Sequence, residues 1–266
     1  MFYIYYRGEK MKQSFKDLTE AFKIIASKKW IPSSYKSHGS IGLTFEKELN
    51  KNADSLYFPD FQDIEIKCTS AFSRYPLYLF TVAFDGPTFP EIERIVEKYG
   101  YLDNDFPDKN VLFETINCQT LHYVNKQFKF KLEVDETEDK LYLCVFDLQD
   151  KLLERSSFVY LSTIRHHLLV KLQYLAIIHA YQKKEKQNRF FRYYQLDLYE
   201  LTSFENFLEL LKRGRIDVDI IARINKSGED KGRYRNKNLV FKIKKDRIEQ
   251  LFHKVYHINY DKEKEE

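Results

Sequence analysis

Cysteine is scarce in this chain of 266 residues, with three in all. Cys68, Cys118 and Cys144 are widely spaced and form no C-x-x-C pair, which excludes a zinc knuckle and a disulfide framework. Long apolar runs are absent too: nothing approaches the roughly twenty residues a bilayer span needs. The first residues, MFYIYYRGEK, put apolar side chains before positive charge, the reverse of a secretory signal. These absences lead us to expect a protein of the cytoplasm with no membrane partner. No internal repeat and no Pro- or Ser-rich linker divides the chain, so any two lobes must be interwoven.

Aromatics, by contrast, are abundant, with 20 Tyr and 22 Phe. Exposed rings can stack on bases, but rings bury the most apolar area per residue, so most are expected in the core. Hydrophobic residues make up 43% and charged residues 32%, the balance of a globular protein. The net charge of +4 is unevenly spread. Residues 212–247 hold thirteen Lys or Arg against five Asp or Glu, a surplus of eight. A basic segment of this kind suits a polyanionic partner, although a solvated basic face explains it equally well.

The hydrophobic pattern predicts a mixed α/β chain. Ser14 with Asp17 suggests an N-cap, followed by a helix carrying Phe15, Leu18, Phe22 and Ile25 on one face. A short helix is expected over 41–49, and strands over 54–58, 64–68 and 77–84. Further helices are expected over 90–99, 161–172 and 203–212, the last capped by Ser203 and stopped by Gly214. Strands are expected over 127–134, 141–147 and 174–181, with the Lys/Gln/Asn run after them a loop. Ile216, Val218 and Ile220 alternate with Asp217 and Asp219 as a half-exposed strand, and NKSGEDKG with 239–243 suggests a hairpin. The last nine residues read as a frayed acidic tail.

One stretch carries chemistry. In PDFQDIEIKC, Asp60 follows a proline at a turn, and Glu65 and Lys67 lie two apart on the next strand. Residues two apart on a strand share a face, so Ile64 and Ile66 pack inward while Glu65 and Lys67 point together. Asp60 can fold back beside Glu65. Two carboxylates bind a hard cation such as Mg²⁺, which acidifies a water and offsets charge on a phosphate. A neighbouring lysine orients the water and neutralises the transition state. The spacing alone is a weak signal in so charged a chain, where an ordinary amphipathic strand produces it. Upstream, GSIGLTFEKEL places Gly39 and Gly42 at a helix start, where backbone amides can approach a phosphate. Glu46 within that helix can project towards the same cation or face solvent.

Taken together, GSIGLTFEKEL, SLYFPDFQDIEIKC and YLFT resemble the restriction endonucleases of the MvaI/BcnI type and, more distantly, the mismatch-repair nickase MutH. The resemblance runs through LYLCVFDLQDKLL, KLQYLAIIHA and GRIDVDIIARINKSGEDKG to FKI, covering residues 28–243. It implies an α/β PD-(D/E)XK nuclease: a mixed sheet flanked by helices, with a catalytic lobe centred on 12–85 and a DNA-recognition lobe largely within 186–250. It implies Asp60, Glu65 and Lys67 as the catalytic triad, supported by Glu46, with Mg²⁺ held by Asp60, Glu65 and Ile66. The implied activity is that of a type II restriction endonuclease, a monomer that cuts double-stranded DNA by successive nicks. A cognate DNA methyltransferase would accompany it without stable binding. A MutH-like nickase and a non-cutting DNA-binding module remain open alternatives.

Two departures stand out. Relatives carry histidines in the recognition hairpin where this chain has Arg235, Asn236, Lys237 and Asn238. Arg suits guanine and Asn suits adenine, so a different target sequence is expected. After YLFT the chain continues VAFDGP without a lysine. Arg223, Lys226, Lys231 and Arg233 are expected to divide between phosphate contacts and base reading, with Arg235, Asn236 and Asn238 the groove-facing readers. Lys171, which opens KLQYLAIIHA, reads as a solvated lysine or else a DNA contact, and His166 and His167 as surface or packing residues.

Overall fold

The computed structural model describes residues 11–35, 39–50 and 58–261, with the backbone alone at Asn236 and Lys237. Along the chain, helix α1 (Gln13–Ser27) leads to β1 (Ile31–Pro32), α2 (Ser40–Glu48) and β2 (Ile64–Ser70). Then come β3 (Leu77–Val82), α3 (Glu91–Tyr99), β4 (Tyr101–Leu102), β5 (Asn110–Ile116) and β6 (His122–Val124). A meander of β7 (Phe128–Asp135), β8 (Lys140–Phe146) and β9 (Leu152–Tyr160) precedes α4 (Leu161–Leu172). The long strands β10 (Tyr174–Glu185) and β11 (Asn188–Leu201) are followed by α5 (Phe204–Lys212), β12 (Ile216–Ile224) and β13 (Tyr234–Ile243). Helix α6 (Ile248–Leu251) and β14 (Phe252–Asn259) end the order.

These elements form two compact units, one of residues 1–75, 169–202 and 249–266, the other of 76–168 and 203–248. Residues 76–85 thus fall in the second unit and 186–202 in the first. The first unit is a mixed sheet in the order β1-β11-β10-β2, with β14 also on β11. Strand β2 pairs parallel to β10, whereas β10 and β11 are antiparallel. Alternation sends Ile64, Ile66, Ala176, Ile178, Leu196 and Leu198 into one core with Phe15, Leu18, Phe22 and Phe45 of α1 and α2. The second unit holds the sheet β3-β13-β12-β5-β4 and the four-stranded sheet β6-β7-β8-β9. Among the described residues no helix is long and apolar enough to cross a membrane.

Several expectations need correcting. Helix α1 starts at Gln13 with Lys12 before it and no side-chain cap, so Ser14 is inside the helix and buried. The Lys/Gln/Asn run is not a loop: β10 and β11 continue through it as a hairpin turning at Lys186 and Gln187, with Lys186 in the left-handed region at φ 55°. Its charged side chains stand at the exposed end of a long ladder, where polarity mimics a loop. The supposed tail contributes Ile258 and Asn259 to β14. Asp219 is fully buried, held by Thr115 and by Lys242 at 2.5 Å, so β12 is not half-exposed there. Strands β5, β9, β11 and β14 escaped the sequence pattern. Most of the strand expected over 54–58 lies outside the described residues. Ser203 does cap α5 by accepting from the Asn206 N–H, and Gly214, at φ 61°, ends it.

Candidate active site

The acidic stretch folds back by a tight local turn. Phe61 and Ile64 exchange both backbone hydrogen bonds, 2.9 and 2.8 Å, around Gln62 at φ 53°. This reversal sets Asp60 beside β2, where its Oδ2 accepts from the Ile66 N–H at 3.0 Å. The turn is tied to α1 from two sides: Lys12 pairs with Asp63, and Gln62 donates to Asp17 at 3.0 Å. Lys12 also lies 3.7 Å from the centre of the Tyr174 ring.

Among the described residues β2 is an edge strand, with β10 on one side. Because the N–H and C=O of one extended residue point to the same edge, the N–H bond to Asp60 shows which way Ile66 faces. Its carbonyl opens on the free edge beside Asp60, while its side chain is buried. On the other face of the sheet from Ile64 and Ile66, Lys67 donates to Glu65 Oε1 at 2.5 Å. Asp60, Glu65 and Lys67 therefore converge as the spacing predicted.

Glu65 is 2% exposed, and its Oε2 has no hydrogen-bond partner among the described residues. Burial raises its pKa; the charges of Lys67 and Lys171 oppose this and that of Asp60 adds to it, leaving a net rise. Lys171, at the end of α4, stands 3.7 Å from Glu65 Oε1. It is a member of this cluster rather than a solvated lysine. Glu46 approaches from α2: both it and Asp60 push up the pKa of the Cys68 thiol, whose main cause is burial. The block KLQYLAIIHA drew attention to Lys171 but not to its approach to Glu65, which depends on the parallel pairing of β2 with β10.

At the start of α2, Gly39 is exposed and a side chain there would meet nothing within 4 Å. The Gly42 N–H is already bonded to the Gly39 carbonyl at 3.1 Å, and a side chain there would meet Glu46 Oε1 at 3.7 Å, so half-buried Gly42 offers no free donor.

The basic residues expected to meet DNA, Arg223, Lys226, Lys231, Arg233 and Arg235, lie on the β12–β13 hairpin of the second unit. Arg223 and Arg235 are direct cross-strand neighbours, and the register shifts between Ile221 and Arg223, a bulge of the kind that re-aims side chains. The Arg223 guanidinium stacks 3.7 Å from the Phe113 ring centre. Lys226 is paired with Asp103 and, at 3.0 Å, with Asp105. Arg233 is 79% exposed and bonded to Asp230 at 3.0 Å, and Lys231 is exposed. Asn238 pairs with Ile221. Arg235, Asn236, Lys237 and Asn238 thus belong to β13, the second strand of the hairpin. His167 stacks on Phe80, a packing role.

A mixed sheet backed by helices, with this acid and lysine pattern on a turn and an edge strand, is the PD-(D/E)XK type of nuclease fold. The chain belongs to the MvaI/BcnI restriction endonuclease family, whose model matches residues 19–252. A solved structure described as restriction endonuclease MvaI in complex with cognate DNA substrate is 27% identical, with a TM-score of 0.85. That match spans 92% of this chain and 100% of the other. A structure of MvaI in the absence of DNA is 26% identical over 94% and 99% of the two chains, with a TM-score of 0.59. No curated protein matches the sequence. The chain is accordingly a type II site-specific endonuclease.

Proposed function

We propose that this protein hydrolyses phosphodiester bonds of double-stranded DNA at a short specific sequence in a Mg²⁺-dependent reaction centred on Asp60, Glu65 and Lys67. The observation that carries the reading is the buried Glu65, with Oε1 bonded to Lys67 and Oε2 unpartnered among the described residues, beside an Asp60 bonded to the same strand. A buried carboxylate oxygen without a donor calls for a cation.

Asp60, Glu65 and the Ile66 carbonyl would hold Mg²⁺, and Glu46 would support them. Among the described residues no three His, Cys, Asp or Glu side chains group as a metal cage, so the ion would rest on these two carboxylates, one carbonyl and water. When bound, such an ion lowers the pKa of its water and polarises the phosphate. Lys67, held by Glu65, orients the attacking water and offsets charge on the phosphate oxygens. Lys171 adds a second positive charge at Glu65.

Gly39 and Gly42 would border the DNA backbone. Arg223, Lys226, Lys231, Arg233 and Lys237 would supply phosphate contacts or base reading, and Arg235, Asn236 and Asn238 would face the groove. One such centre among the described residues suits a monomer that cuts the two strands in succession. Work in the cytoplasm beside a methyltransferase that protects host DNA completes the proposal. Incubation with supercoiled plasmid and Mg²⁺ tests it: discrete linear fragments with uniform ends are expected. Open circles that persist would instead indicate a MutH-like nickase, and intact plasmid across several divalent ions a binding module.

A further inference from the structure

The catalytic face of the first sheet carries a second polar cluster. By strand register, Lys67 lies beside Ile177, Ile177 beside Asp197, and Asp197 beside His257 of β14. In the next row Thr69 lies beside His179, and His179 beside Gln195. Direct neighbours across a sheet share a face, so Asp197, His179 and His257 look out on the same side as Glu65 and Lys67. Two strand spacings separate Lys67 from Asp197, about 10 Å.

Asp197 is 2% exposed, yet four groups reach it. His179 Nε2 lies 3.0 Å from Oδ2, His257 Nδ1 2.6 Å from Oδ1, Gln195 donates at 2.7 Å, and Lys254 stands 3.8 Å away. Burial opposes its ionisation, but the bonds from His179, His257 and Gln195 outweigh burial and bring its pKa down to about 2. An ionised carboxylate only accepts hydrogen bonds, so the bonded nitrogens, Nε2 of His179 and Nδ1 of His257, carry hydrogen. Among the described residues neither ring's second nitrogen has a hydrogen-bond partner. The His257 side chain is 43% exposed and that of Lys254 35%.

A buried carboxylate that fixes two imidazoles contributes little net stability compared with an apolar filling. What it does achieve is to aim them. We propose that His179 and His257, positioned by Asp197 and joined by Lys254, form a second phosphate-binding site that grips the DNA backbone a short way along from the bond cut at Lys67. The site takes a phosphodiester oxygen: a ring bonded to Asp197 through one nitrogen and to phosphate through the other holds both protons and is cationic. The inference rests on the reading that this face meets DNA.

Salt titration of duplex binding by fluorescence anisotropy, at pH 6 with no divalent ion, tests it. The decisive comparison is wild type against His257→Gln, His179→Gln and His257→Lys. Each Gln variant is expected to bind several-fold more weakly and to flatten the slope of log affinity against log salt by about 0.9, the loss of one phosphate contact. His257→Lys restores the slope. Unchanged slopes in both Gln variants overturn the site, even where their thermal midpoints fall, because a purely structural role would not move counterion release. Wild-type protein that binds no duplex at any salt concentration would overturn the DNA reading itself.

Discussion

At the scale of single residues, the site turns on which groups are already committed. Lys67 is bonded to Glu65 and aligned by it, so Lys67→Ala removes a positioned cation. It is expected to slow single-turnover cleavage by about 10²- to 10³-fold while leaving duplex affinity within a few-fold. Lys171 stands farther from the same oxygen, at 3.7 Å, and Lys171→Ala is expected to cost roughly tenfold, with Lys171→Arg recovering most of the loss. Parallel rate and anisotropy measurements separate the two effects; equal losses in binding and rate would count against a role in chemistry. The triad was legible in the sequence because proline, turn and strand alternation set its geometry within ten residues. Lys171 was not, because a lysine on a helix reads as solvated until another segment is placed against it.

At the scale of elements, the polar bonds around Asp197 staple β10, β11 and β14 to one another. Its pKa in the folded chain, about 2, lies below the ordinary 3.8. The ionised form is therefore favoured by folding, and this stability is present above pH 4 and lost as pH falls through about 2. Asp197→Asn is expected to lower unfolding free energy by about 2 kcal/mol at pH 7. That deficit should shrink steadily in urea titrations taken down to pH 3; a constant deficit would assign the effect to packing instead. The strand that carries Asp197 escaped notice for a physical reason. NRFFRYYQLDLYEL lacks clean alternation, since its two faces are both largely covered.

At the scale of the whole molecule, positive charge is concentrated in the β12–β13 hairpin, but its charges differ in availability. Lys226 is neutralised by Asp103 and Asp105, whereas Arg223 is held on Phe113 without a carboxylate in reach among the described residues. Arg223→Ala is therefore expected to cost about 1–3 kcal/mol in specific binding and to relax discrimination between target and altered duplexes. Lys226→Ala should change affinity far less. Cleavage profiles on a panel of single-base variants of the target would check both. Chelating divalent ions should stop cleavage and leave binding in place.

The sequence by itself determined the turn that sets Asp60 beside Glu65 and Lys67, the inward packing of Ile64 and Ile66, the cap and stop of α5, and the family. Each depends on covalent spacing, on a two-residue period, on a side chain that caps its own helix or on a glycine free to take a positive φ. Only the tertiary structure decided that Lys171 joins Glu65, that the polar run after β10 is a hairpin, that Asp219 is buried, and that two histidines meet one aspartate. Those outcomes depend on the hydrogen-bond register between segments far apart in the chain, which local propensity does not encode.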